Sequence, residues 1–117
     1  MNYVDGFVAA VPNGNKDEYL KHATQTSAIF KEYGALECVE CWGDDVPEGE
    51  VTSFPMAVKR AEDETVVFAW ISWPSKATRD EAWAKIMADP RMSPDGMTMP
   101  FDGKRMIYGG FSQILGA

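Results

Sequence analysis

Basic side chains are scarce in this chain. Eleven lysines and arginines stand against 18 aspartates and glutamates in 117 residues, a formal net charge of −7 at pH 7. A clustered basic surface supplies most nucleic-acid affinity, so this balance argues against nucleic acid as a partner. Histidine occurs once, at His22, and cysteine twice, at Cys38 and Cys41. No Ser-His-Asp set, nucleophile elbow, metal-binding cluster or Gly-rich phosphate loop can be read from such a sequence, and no metal or cofactor is expected. Asp44, Asp45 and Glu48 lack the spacing of a calcium loop and read as turn formers. No apolar run is long enough to span a bilayer, and the first residues lack the basic, apolar, small-residue order of a secretory leader. The expectation is a cytoplasmic protein with no membrane partner.

Cys38 and Cys41 spell C-x-x-C, which invites a redox or zinc reading. They fall in an alternating segment, Leu36 to Trp42, and residues three apart on a strand point to opposite faces, so they are expected to be structural or free. Much of the negative charge is local. Glu37, Glu40, Asp44, Asp45, Glu48 and Glu50 follow one another without a basic residue between them. Such a cluster is a solvated rim or a landing patch for a basic partner.

What is present is a clear alternation of strands and helices within a length suited to one domain, residues 1–117. Tyr3 to Val11 reads as a strand, and Pro12-Asn13-Gly14 as its turn. Asn15 followed by Glu18 resembles a capping box, and Tyr19, Ala23, Thr26, Phe30 and Tyr33 recur at helical spacing until Gly34 ends the helix. Ala35 to Trp42 is the second strand. From Gly43 to Glu64 the chain is rich in turns, and the alternation of Phe54, Met56 and Val58 suggests a short extra or edge strand. Val66 to Ile71 has the β-branched and aromatic make-up of a strand covered on both faces.

A second helix follows. Thr78 and Glu81 form its capping box, with Ser75 as a rival cap, and Pro90 stops it. Arg91 to Lys104 is a loop of unusual apolar content, with Met92, Met97 and Met99, expected to fold over its own core or a partner subunit. Arg105 to Leu115 closes the chain as a strand in which Gly109-Gly110 marks a bulge or a close backbone approach.

The order strand, helix, strand, strand, helix, strand defines an α+β, ferredoxin-like βαββαβ fold. Right-handed crossovers place both helices on one face of a four-stranded antiparallel sheet. The second face is left bare. Alternation assigns Asp5, Phe7, Cys38, Glu40, Trp42, Phe68, Trp70, Ser72 and Tyr108 to it, a set too apolar to face water. Pairing of two such faces in a homodimer would bury it.

Several strings are specific enough to compare with known families. These are Asp5-Gly6-Phe7, Gly34-Ala35, Glu40-Cys41-Trp42-Gly43-Asp44-Asp45-Val46-Pro47, Trp73-Pro74-Ser75-Lys76, Arg79-Asp80, Met87-Ala88-Asp89-Pro90-Arg91-Met92 and the run Pro100 to Phe111. Through them the sequence resembles the YbaA-like family of uncharacterised bacterial proteins, a domain of unknown function in the dimeric α+β barrel superfamily. The resemblance implies a ferredoxin-like protomer and a barrel formed between two protomers. The wider superfamily includes cofactor-free monooxygenases, haem proteins resembling chlorite dismutase, muconolactone isomerases and small stress proteins, among which fold analogy does not choose. With no cofactor expected, any catalysis is read as of the cofactor-free oxygenase or isomerase type.

A small apolar or aromatic ligand would then be held by Phe7, Trp42, Phe68 and Trp70, with Asp5, Glu40 and Tyr108 as the candidate catalytic groups. Asp5 and Glu40 have a structural alternative in pairing with Arg105. Lys76, Arg79, Lys104 and Arg105 suggest ion pairs between subunits with the Glu40 to Glu50 acidic segment, the alternative being a small anion drawn by Arg79, Lys104 and Arg105. His22 belongs beside the buried helix face rather than in it. The competing function is a non-enzymatic dimeric module whose acidic surface meets another protein.

Overall fold

The computed structural model describes residues 1–93 and 99–117. The apolar run of residues 66–71 lies inside a longer strand, β3 (Glu64–Trp73), which Pro74 ends. β1 (Tyr3–Pro12) and β2 (Glu37–Trp42) flank it, and β4 (Ile107–Ser112) lies outside β1. The order β2-β3-β1-β4, antiparallel throughout, is the ferredoxin-like sheet. Helices α1 (Lys16–Glu32) and α3 (Lys76–Met87) cover one face. Tyr19 and Ala23 of α1 pack on Val11 and Val67, and Ala82 and Ile86 of α3 on Ile71 and Trp73.

Local signals set most boundaries, with three differences. α1 begins at Lys16 after a 3-10 turn at Asn13–Asn15, and the Asn15 side chain makes no cap bond. Its Nδ2 instead donates to the Pro100 carbonyl at 2.9 Å, tying the segment before β4 to the start of α1. Ser75, not Thr78, caps α3, its Oγ accepting from the Thr78 N–H at 3.1 Å. The expected edge strand at Phe54–Val58 is a one-turn helix, α2 (Phe54–Ala57). Phe54 and Val58 stand four apart and suit a helical turn as well as alternation; the Ser53 cap and Pro55 in the first turn decide the choice.

The described parts of the segment between α3 and β4 pack on the protein's own core, with Met92 against the Ile71, Trp73 and Ile86 cluster and Phe101 against Val11 and Tyr19. Met97 lies outside the described residues.

Register decides which side chains share a face. Asp5 and Phe7 pair with Ile71 and Ala69, and Cys38, Glu40 and Trp42 pair with Ile71, Ala69 and Val67, so all five stand on the helix-covered face. Tyr108, opposite Phe7 on the edge strand, shares that side and is 74% exposed. Of the residues expected on the bare face, only Phe68, Trp70 and Ser72 are there. The correction has a simple cause, since a one-residue error in relative register moves a whole strand to the other side of the sheet. Cys41 sits opposite Phe68, which puts it across the sheet from Cys38, and both thiols are free.

The second face is bare over only part of its length. Val58, just past α2, is fully buried against Val8, Ala10 and Val66, and the Phe54 ring lies edge-on to Phe68 with centroids 5.9 Å apart. Beyond that cover the face stays open, with Phe68 and Ile107 each 43% exposed and Phe111 61%. No helix among the described residues is long and apolar enough to cross a membrane.

The ladder runs unbroken through Gly109 and Gly110, so this pair marks a close approach and not a bulge. A Cβ on Gly110 would lie 2.5 Å from Tyr3 Oη and 3.0 Å from Arg79 Nη2. Gly110→Ala should therefore cost ~1–3 kcal/mol through displacement of these two side chains, read as a lower urea midpoint. Gly14→Ala, whose Cβ would meet nothing within 4 Å, is the matched control and should leave the midpoint level or slightly raised.

Candidate functional site

Asp5 is the third residue of β1, at a point where α3 passes overhead. Its carboxylate is buried and accepts from Trp73 Nε1 at 2.9 Å, from Trp83 Nε1 at 2.8 Å and from the Arg79 guanidinium, the shortest contact being 2.7 Å. Arg79 also stacks over the Tyr3 ring, 5.2 Å from its centroid, and reaches Asp80 at 2.9 Å. Two indoles and a guanidinium fill the acceptor sites of this carboxylate, so it anchors α3 to β1. Arg79 is thus paired inside the protomer, as is Arg105, which binds Glu64 at 2.6 Å and Asp102 at 3.0 Å. The expected pairing of Arg105 with Asp5 or Glu40 does not occur.

Glu40 has a different setting. It projects from β2 beneath the first turns of α1, where Tyr19 Oη donates to its Oε1 at 2.5 Å. Tyr19 packs against the rings of Trp42 and Phe101 at 6.5 and 5.6 Å. Glu40 is exposed as a residue, yet partial loss of water around its carboxylate raises its pKa, and the Tyr19 hydrogen bond opposes the rise. Burial first, and then the Glu40 charge and hydrogen bond, drive the Tyr19 phenol far above its usual value, so Tyr19 stays protonated as a donor.

The pair opens into a cavity of about 870 Å³ between the sheet and the helices. Phe7, Phe30, Trp83 and Phe101 supply aromatic walls, and Met92 and Met106 come from the segment leading to β4. His22 enters from α1. Its Nδ1 is buried and has no hydrogen-bond partner among the described residues, and burial lowers its pKa, so the ring is neutral at pH 7.

Of the sequence candidates, Phe7, Glu40 and Trp70 border this space, whereas Asp5, Trp42, Phe68 and Tyr108 do not. The Trp70 ring lies 5.8 Å from that of Phe68, across the sheet, so its contribution to the cavity is main chain. His22, set aside as a boundary residue, belongs to the wall. The Tyr19–Glu40 pair escapes sequence reading because its members are 21 residues apart on different elements. The available signal was weak: a tyrosine on the buried helix stripe needs a partner for its hydroxyl.

The fold and its cavity describe an α+β protein of the ferredoxin-like class with a partly open cavity under its helix layer. The family model described as "Protein of unknown function (DUF1428)" matches residues 2–103, and the chain belongs to that family. It is 60% identical over 115 residues to the uncharacterized protein YbaA of Escherichia coli strain K12, the match covering 98% of each chain. The uncharacterized protein YbaA of Shigella flexneri matches to the same extent, 60% over 115 residues and 98% of each chain.

Proposed function

We propose that this protein binds a small, largely apolar molecule in the cavity between sheet and helices, and that two copies pair through the open part of the opposite sheet face. The cavity itself carries the reading. Its volume of about 870 Å³ lies in the range of ligand pockets, and its wall combines aromatic surface with one carboxylate, the usual make-up of such sites. Glu40, with its raised pKa, is the group suited to move a proton at a bound ligand, the chemistry of an isomerase or a cofactor-free oxygenase. The exposed Phe68, Ile107 and Phe111 support pairing, since an apolar patch on a sheet is normally an interface. On this reading the dimer face and the ligand chamber lie on opposite sides of the sheet.

Titration of the labelled protein with naphthalene tests the site. Saturable NMR shifts are expected at Ala9, Ala23 and Phe30; shifts confined to Val39, Phe68 and Phe111 would sink the proposal. Sedimentation tests the pairing. The wild type should run at twice the chain mass of 13.0 kDa and the Phe68→Asp, Phe111→Asp double variant at that mass itself. A monomeric wild type would refute pairing and leave the cavity reading standing.

A further inference from the structure

The hydrogen-bonding character of the cavity wall restricts what it can hold. Among the described residues the wall contains no lysine or arginine, and Glu40 is its only carboxylate. Lys31 acts on the Cys38 thiol from outside it. An anionic ligand would therefore meet one negative charge and no positive one.

Every hydroxyl and thiol proton of the wall is already committed to the protein. Tyr19 donates to Glu40, Thr24 to the Leu20 carbonyl at 2.7 Å, Thr26 to that of Ala23 at 3.1 Å and Ser27 to that of Thr24 at 3.0 Å. Cys38 Sγ points to the Ser27 carbonyl at 4.0 Å. What remains free on the residues of the wall is acceptor capacity. Glu40 Oε2 has no donor among the described residues, and neither has His22 Nδ1. A neutral imidazole can add at most one N–H to this inventory.

Resting on the ligand-binding reading above, we infer that the occupant is an uncharged or cationic aromatic molecule bearing an O–H or N–H donor, and not a carboxylate or phosphate ester. The ring lies among Phe7, Phe30, Trp83 and Phe101, and the donor meets Glu40 Oε2. Burial of that oxygen under a ligand with no donor would leave a carboxylate oxygen desolvated and unpaired, which is what makes the wall selective.

Isothermal titration with three isosteres separates the possibilities: 1-naphthol, its methyl ether and 1-naphthoate. The naphthol should bind at least about ten-fold more tightly than the ether, the minimum set by one hydrogen bond to a charged acceptor, and the naphthoate should give no saturable heat. In Glu40→Leu the naphthol preference should fall to within about two-fold, chiefly because the ether, freed of the unpaired carboxylate oxygen, binds more tightly, and that binding also certifies that the variant is folded. His22→Leu is the companion variant and should reduce the preference less. Equal affinity for naphthol and ether, or tighter binding of naphthoate, would overturn this inference and leave the ligand site intact. Absence of binding by all three compounds would overturn both.

Discussion

Replacement of Asp5 by alanine is expected to cost ~3–5 kcal/mol of folding stability, the range for removal of one partner from a buried, hydrogen-bonded charge pair. Asp5 is 4% exposed, and its loss would strand the Nε1 protons of Trp73 and Trp83 together with much of the Arg79 hydrogen bonding. Trp73 is fully buried and cannot turn its indole N–H to water. The expected result is a large drop in the urea midpoint with a changed near-ultraviolet signal from the two indoles. Asp5→Asn keeps one acceptor oxygen but no charge and should fall between the wild type and Asp5→Ala. Loss of Asp5 and Arg79 together should cost less than the sum of the two single losses, because the second no longer leaves an uncompensated charge. A cost below ~1 kcal/mol for Asp5→Ala would place the pair with exposed ion pairs and refute its anchoring role.

Glu64 is the second large case. It is 8% exposed, grips Arg105 through both oxygens at 2.8 and 2.6 Å, and accepts from the Ala61 N–H at 2.7 Å. Arg105 in turn donates to the Lys59 carbonyl, so this one carboxylate joins β3, the loop before it and the segment before β4. Glu64→Gln should cost ~1.5–3 kcal/mol at pH 7, the worth of hydrogen bonds to a charged group.

The pH dependence has a definite sign. The Arg105 hydrogen bond lowers the Glu64 pKa in the folded protein, outweighing desolvation, with the Ala61 N–H helping. The folded state therefore binds the Glu64 proton more weakly than the unfolded chain does. The stabilisation is complete above the ordinary glutamate value of about 4.3 and is lost as pH falls through the depressed one. The gap between wild type and Glu64→Gln should be full at pH 6–7 and shrink steadily below about pH 4. A gap that does not change with pH would mean that the glutamine loses packing or geometry and not the charge.

Element boundaries were largely legible because each rests on local chemistry. Pro74 and Pro90 stop β3 and α3 by removing a donor, and Gly34 ends α1 at a φ of +113°, which few other residues adopt. The α2 turn was misread because Phe54 and Val58 fit both periods while Met56 tips the pattern toward alternation, and a serine cap of one turn is a weaker signal than alternation. The face assignment failed for β1 and β2 for a reason of another kind. Alternation says that Asp5 and Phe7 share a side, but not that the side is the one under the helices, and a carboxylate is a poor guess for a core until its partners are known.

The sequence alone determined the class of the chain: a βαββαβ order, its punctuation by proline and glycine, an acidic surface, and two cysteines held apart by strand alternation. These follow from periodicity and backbone chemistry within a few residues of each other. Tertiary structure decided the rest. Only the register could send Asp5 into a nest of two indoles and Arg79, bring Tyr19 to Glu40, and set His22 in the wall of a chamber under the helices rather than on the open sheet. Each of these meetings joins residues far apart in the chain, and their energies come from mutual burial and pairing, which no local pattern encodes.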